Sequence, residues 1–361
     1  MLELLNILLL AAHLLAMNIA SGGPLLCIWL RGRHEPQNED TAGSPDSLGR
    51  QMAYWSILGL IAGMALGGAQ LWLTRSDGLL EAINRLPRRA LWFAGLELLF
   101  SVACLSGYLA SWNKLRHRRK LHASIALLSS SNLLYHFPPL MSVLGKVAAD
   151  PAWAKAEVLD RPALLTLMRR PEIVALTTHF ALASIAVAAI AILYFMSGSG
   201  ATEKARRQMS LARGAAWIAL IVSALQLPVG VWLVASLPKS GLGALMGENL
   251  TASAAFATAL LLTLMLLQKL LTIAIGEVTA SELRHPSWLL MIIVLLMTVS
   301  LIGTRQRATE LTAAQTELSD TSLNNSLPPK KPQSNCCSAA LDSLSRRADS
   351  RTRLSPCVQI L

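Results

Sequence analysis

Charge is what this sequence has least of. Asp, Glu, Lys and Arg make up 15% of its 361 residues, against about 25% in soluble proteins. Aromatic residues are sparse as well, at 5%. Apolar residues fill 53% of the chain, and the mean hydropathy is +0.47. That is more apolar surface than a water-soluble core of this size encloses. An ordinary soluble enzyme and a disordered chain are both excluded. Cysteine motifs are missing too. Cys27, Cys104, Cys336, Cys337 and Cys357 form no CxxC and no CxxCH, so neither a cysteine zinc site nor a covalent c-type haem is expected. The first apolar run lacks a basic leader, since its only early charge is Glu3. It is also too long for a cleaved signal peptide, and it is expected to be a membrane span.

The chain is instead made of long apolar runs. Eight stretches, near 2–30, 52–74, 90–112, 121–146, 173–197, 213–236, 252–275 and 286–303, are long enough to cross hydrocarbon as helices. The predicted fold is all-α: a polytopic helical bundle over 1–303, with a polar tail over 304–361 that has no sustained hydrophobic period and is expected to be disordered. The net charge of +11 lies between the apolar runs, so it points to lipid headgroups and not to nucleic acid. The densest block is Lys114, Arg116, Arg118, Arg119 and Lys120. With that loop cytoplasmic, the chain sits in the cytoplasmic membrane with its N-terminus outside. In the second span Gly59, Gly63 and Gly67 recur every four residues. Such a ladder lets another helix approach closely.

Ionisable groups inside the spans are few, and each costs several kcal/mol in hydrocarbon unless paired or coordinated. Glu97, Lys269, His13, His136 and His179 are well inside; His122 stands at a span entrance. At the helical rise, His13 falls roughly 16 Å below the outer face, His136 roughly 15 Å, Glu97 roughly 10 Å and His179 roughly 9 Å. Four different spans thus place an ionisable group in the same half of the membrane. Lys269 falls near the inner face, where its stem reaches headgroups. Histidines facing inward in a helical bundle can hold haem iron. The alternative is that each histidine hydrogen-bonds a neighbouring hydroxyl or carbonyl. Zinc is disfavoured, because the spans hold no His, Asp or Glu pair at i, i+4 spacing.

Several segments, in order, resemble subunit I of cytochrome bd-type quinol oxidases. They are Ala-Ala-His13-Leu-Leu, the glycine-rich run from Gly59 to Trp72, and Gly95-Leu-Glu97 followed by Trp112-Asn-Lys-Leu. Ser130-Ser-Asn132-Leu comes next, then Arg170-Pro171, His179-Phe-Ala and Tyr194. The resemblance covers about residues 5–200. It implies that His13 is an axial ligand of a high-spin haem and His179 a ligand of a low-spin haem. Glu97 would be a proton relay or haem ligand. The implied partners are other membrane subunits or an electron donor on the outer face.

Three departures stand beside it. The second low-spin ligand, a methionine in the family, has only Met265 or the loop residue Met246 as counterparts, and His136 is the expected substitute. The third span has one glutamate where the family has two. Residues Leu237–Leu250, where the family carries a long quinol loop, form a short connection. The expected function is therefore a haem-binding subunit of a bd-oxidase-like electron-transfer complex, with reduction of oxygen one outcome. The alternative is a haem-free structural or assembly protein.

Overall fold

The computed structural model describes residues 2–326 except 34–43, 76, 116, 150–157, 198–204, 277–278 and 280. The described residues are mostly helical, with short turns and connections and no strand. Among them, seven helices are long and apolar enough to cross a membrane. They are α1 (Leu2–Gly32), α2 (Pro45–Leu73), α4 (Arg88–Ala110), α8 (Pro171–Met196), α9 (Ala205–Ala235), α11 (Leu250–Ile275) and α12 (His285–Ser326). Apolar side chains such as Trp72, Trp92 and Val231 are exposed on their outer faces, as a surface bathed in lipid requires. The protein is a multi-pass, all-α membrane bundle.

The helix boundaries follow local chemistry. Ser44 caps α2, accepting from the Ser47 amide at 3.2 Å, and Pro45 sits at the first helical position. Asn249 caps α11 through the Ala252 amide at 3.0 Å. Between α9 and α11 the chain winds through α10 (Lys239–Gly243) and a π turn, Ala244–Glu248. That turn contains Gly247 at φ +122, a conformation L side chains rarely adopt.

The eighth expected span, 121–146, is not one helix. It is α5 (Arg119–Tyr135) and α6 (Phe137–Ala149), broken at His136. Pro138 and Pro139 are the cause. They carry no N–H, so the carbonyls of Leu134 and Tyr135 lose their i+4 donors. Past the break, α6 packs with α3 (Asp77–Arg85), α7 (Arg161–Met168) and the first turns of α4 and α8. Leu79, Ala82, Val143, Leu144, Leu164 and Ile173 fill this end cap. The Leu159 amide donates to the Arg85 carbonyl at 2.8 Å, and Lys146 pairs with Glu172.

The polar tail also begins later than its composition implies. The last helix runs through 304 to Ser326, because Arg, Gln, Ala, Glu and Leu continue it and no Pro intervenes before Pro328. Residues 327–361, with Cys336, Cys337 and Cys357, lie outside the described residues, as does His34.

The glycine ladder is where α1 and α2 close on each other. A Cβ on Gly59 would lie 2.8 Å from the Ala16 carbonyl oxygen, and one on Gly63 would lie 2.5 Å from the Met17 sulfur. On its other side α1 meets α8, where a Cβ on Gly22 would fall 2.0 Å from the Ser184 carbonyl oxygen. Met17 and Phe180 share one apolar cluster, while Leu26 to Leu30 and Ile190 to Met196 share another. The two helices therefore run parallel.

Candidate functional site

The four ionisable groups expected at similar depth fall in one layer. Asn18 accepts a hydrogen bond from the Ser184 hydroxyl at 2.7 Å. His13 and His179 each stand five residues before that bonded pair, so on parallel helices they are level. On α4, Glu97 lies beside His136, with Nδ1 to Oε1 at 3.2 Å. Asn132 holds the two helices in register by donating to the Glu97 carbonyl at 2.8 Å and to Ser101 at 2.9 Å.

The local bonding differs for each group. His13 Nδ1 lies 2.8 Å from the Gly63 carbonyl oxygen. A carbonyl only accepts, so the ring carries a proton on Nδ1, and Nε2 keeps its lone pair in the neutral ring. This orienting hydrogen bond to a carbonyl is the one metal-bound imidazoles commonly use. The same ring rests on α2, where a Cβ on Gly67 would come 2.8 Å from its Cε1. His179 has a buried Nδ1 with no hydrogen-bond partner. Its backbone carbonyl accepts from Gln226 of α9 at 3.4 Å.

His136, the expected substitute for the absent methionine, is engaged with Glu97, and 54% of its side chain is exposed. Met265 and Met246 are also exposed. Between α1, α2, α4 and α5 the space is filled by Met17, Leu60, Leu105 and Leu133. Lys269 is exposed near the C-terminal end of α11. Leu237–Leu250 is wound into α10 and the π turn, and Asn249 donates to the Gly303 carbonyl at 3.3 Å.

The richest polar cluster is one the spacing of histidines did not reveal. It sits at the opposite end of the bundle, where α1, α2, α4 and α5 meet. Arg31 is buried, donates Nη2 to the Trp112 carbonyl at 3.0 Å, and lies 4.8 Å over that indole. The indole Nε1 donates to Asp46 at 3.0 Å. Fully buried His122 donates Nε2–H to the Tyr108 carbonyl at 2.9 Å and stacks on its ring at 3.8 Å. Its Nδ1 is buried without a hydrogen-bond partner. The sequence signal was His122 beside the basic block. Arg31 was hidden because an Arg at a span end normally reaches headgroups.

Among the described residues no three His, Cys, Asp or Glu side chains converge as a metal site. Two imidazoles holding haem iron would not form such a group. Compared with known proteins, the sequence matches no family model and no curated protein. The likeness to the bd-oxidase subunit rests on the order of its motifs alone.

Proposed function

We propose that this protein is a haem-binding subunit of a bd-oxidase-like electron-transfer complex. It would lie in the cytoplasmic membrane with its N-terminus on the outer side. One observation carries the reading: His13 and His179 stand level on parallel, closely packed helices, and the buried Nδ1 of His179 has no hydrogen-bond partner. An imidazole buried in an apolar bundle without a partner is unfavourable unless something coordinates it. The donor set fits haem iron, with the Gly63 carbonyl fixing the tautomer of His13. Bound haem would supply one-electron redox chemistry. The chain's own residues would hold the iron and, through Glu97 and His136, accept and pass protons in the same layer. The short Leu237–Leu250 connection leaves no loop to fold over a quinol. Electrons would then come from a partner protein at the end cap of α3, α6 and α7.

A haem-free structural or assembly role is the second reading. It is favoured by the His13 ring resting on Gly67 and by the apolar filling at Met17, Leu60 and Leu105. A reduced-minus-oxidised spectrum of the purified protein separates them. The haem reading expects a Soret band that shifts on dithionite reduction, a low-spin signal lost in His179→Ala, and a different, high-spin signal perturbed in His13→Ala. A colourless protein from haem-sufficient cells overturns it and leaves the structural role.

A further inference from the structure

The first turn of α4 carries guanidinium groups that no carboxylate of the chain answers. Arg88 and Arg89 are exposed, and among the described residues neither has a hydrogen bond or an ion pair. The nearby carboxylates are engaged elsewhere. Glu81 pairs with Arg85, and Glu97, half a turn round α4 from Arg88, meets His136. Arg88 lines an open cleft of about 380 Å³ together with Leu91 and Trp92. Spacings of three and four residues put these side chains on one face of the helix. The same face continues through Gly95, Leu96 and Leu99. Trp92, Leu96 and Leu99 are exposed, and nothing lies within 4 Å of a Cβ built on Gly95, so the surface dips there. From Arg88 to Leu99 the face runs about 16 Å, about half the thickness of a hydrocarbon core.

We propose that this cleft binds one anionic phospholipid, with its phosphate at Arg88 and an acyl chain along Trp92, Gly95 and Leu99. Charge selects the headgroup. A guanidinium donates two parallel N–H bonds to a phosphate, and Arg88 has no acceptor within the chain. A zwitterionic lipid would set its own cation beside Arg88 and Arg89, so a net negative headgroup is favoured. Trp92, one turn below Arg88, fits the same depth, since an indole has an apolar body and a polar N–H that suit the membrane interface. Shape selects the tail. The face is as long as one leaflet is deep, and at Gly95 an acyl chain can lie against the helix backbone. An acidic peptide could reach Arg88 but would have nothing to lay along Leu96 and Leu99. The site lies on the far side of α4 from Glu97 and is the same with or without bound iron.

The test uses the full chain in nanodiscs made of equal parts phosphatidylglycerol and phosphatidylcholine, released for native mass spectrometry. Retained phosphatidylglycerol is expected to exceed phosphatidylcholine by about five-fold, the effect of one Arg beside an anionic headgroup. Arg88→Gln is expected to remove that preference, and Arg88→Lys to keep most of it. Gly95→Leu fills the dip, where its Cβ meets nothing, and is expected to lower retention of both lipids. Arg161→Gln changes an exposed guanidinium of α7 that does not line the cleft, and it is expected to leave both unchanged. Circular dichroism is expected to stay helical in every variant. Equal retention of the two lipids by the parent overturns the proposal. So does a preference that survives Arg88→Gln, an equal loss in Arg161→Gln, or an isoprenoid quinone or a protein found seated in the cleft.

Discussion

At the scale of single residues, close approach and burial decide which substitutions matter. Gly22 and Gly68 are both helical glycines, yet they have opposite environments. A methyl on Gly22 would enter the Ser184 carbonyl, a backbone atom that cannot step aside, whereas nothing lies within 4 Å of a Cβ on Gly68. Gly22→Ala is expected to cost about 1–3 kcal/mol by overpacking, with a clear fall in the thermal midpoint in detergent. Gly68→Ala should be neutral or gain up to about 1 kcal/mol from helix propensity. The histidines divide in the same manner. His122 is fully buried, stacked on Tyr108 and bonded to its carbonyl. His122→Ala should therefore cost about 3 kcal/mol, through a cavity and a lost hydrogen bond. His117 is exposed, and His117→Ala should leave the midpoint within about 0.5 kcal/mol of the parent.

At the scale of elements, the break between α5 and α6 is the feature on which the end cap depends. Two adjacent prolines remove two helical hydrogen bonds, and the chain turns there so that Leu140, Val143, Leu144 and Val147 meet α3 and α7. Pro138→Ala with Pro139→Ala restores both donors and favours a continuous helix. The expected result is faster amide exchange in α3, over Asp77–Arg85, with exchange in α1 unchanged. Equal protection of α3 in both proteins would show that the cap forms without the break. The glycine ladder of α2 was readable from its four-residue spacing, because close helix approach needs small residues at that period. The break was present in the sequence as Pro138-Pro139, but it lay inside a run whose overall apolarity read as one span.

At the scale of the whole molecule, the last helix ties the two ends of the chain together. Gln306 donates to Glu3 at 3.0 Å, Arg307 pairs with Glu248 at 3.8 Å, and the Gly303 carbonyl accepts from Asn249. These contacts lie at and just beyond the point where the composition turns polar. Truncation after Ser326 is expected to leave the protein monodisperse in detergent with an unchanged thermal midpoint. Truncation after Gly303 removes the links to Glu3 and Glu248 and is expected to lower the midpoint. Identical unfolding of the two truncations would show that residues 304–326 contribute nothing to the fold.

What the sequence determined by itself was the solvent and the class of fold. Long apolar runs leave helices as the only way to satisfy backbone groups in lipid, and the rarity of ionisable residues inside them singled out His13, Glu97, His136 and His179. Helical rise alone put those four at similar depth, since depth depends only on position along each run. Which groups meet was decided by packing. Helix rotation and neighbour order set whether an inward histidine faces a carbonyl, a carboxylate or an apolar wall, and no periodicity encodes them. Tertiary structure therefore gave His13 to Gly63 and His136 to Glu97, left the His179 Nδ1 without a hydrogen-bond partner, and gathered Arg31, Trp112 and His122 from distant segments into one buried cluster.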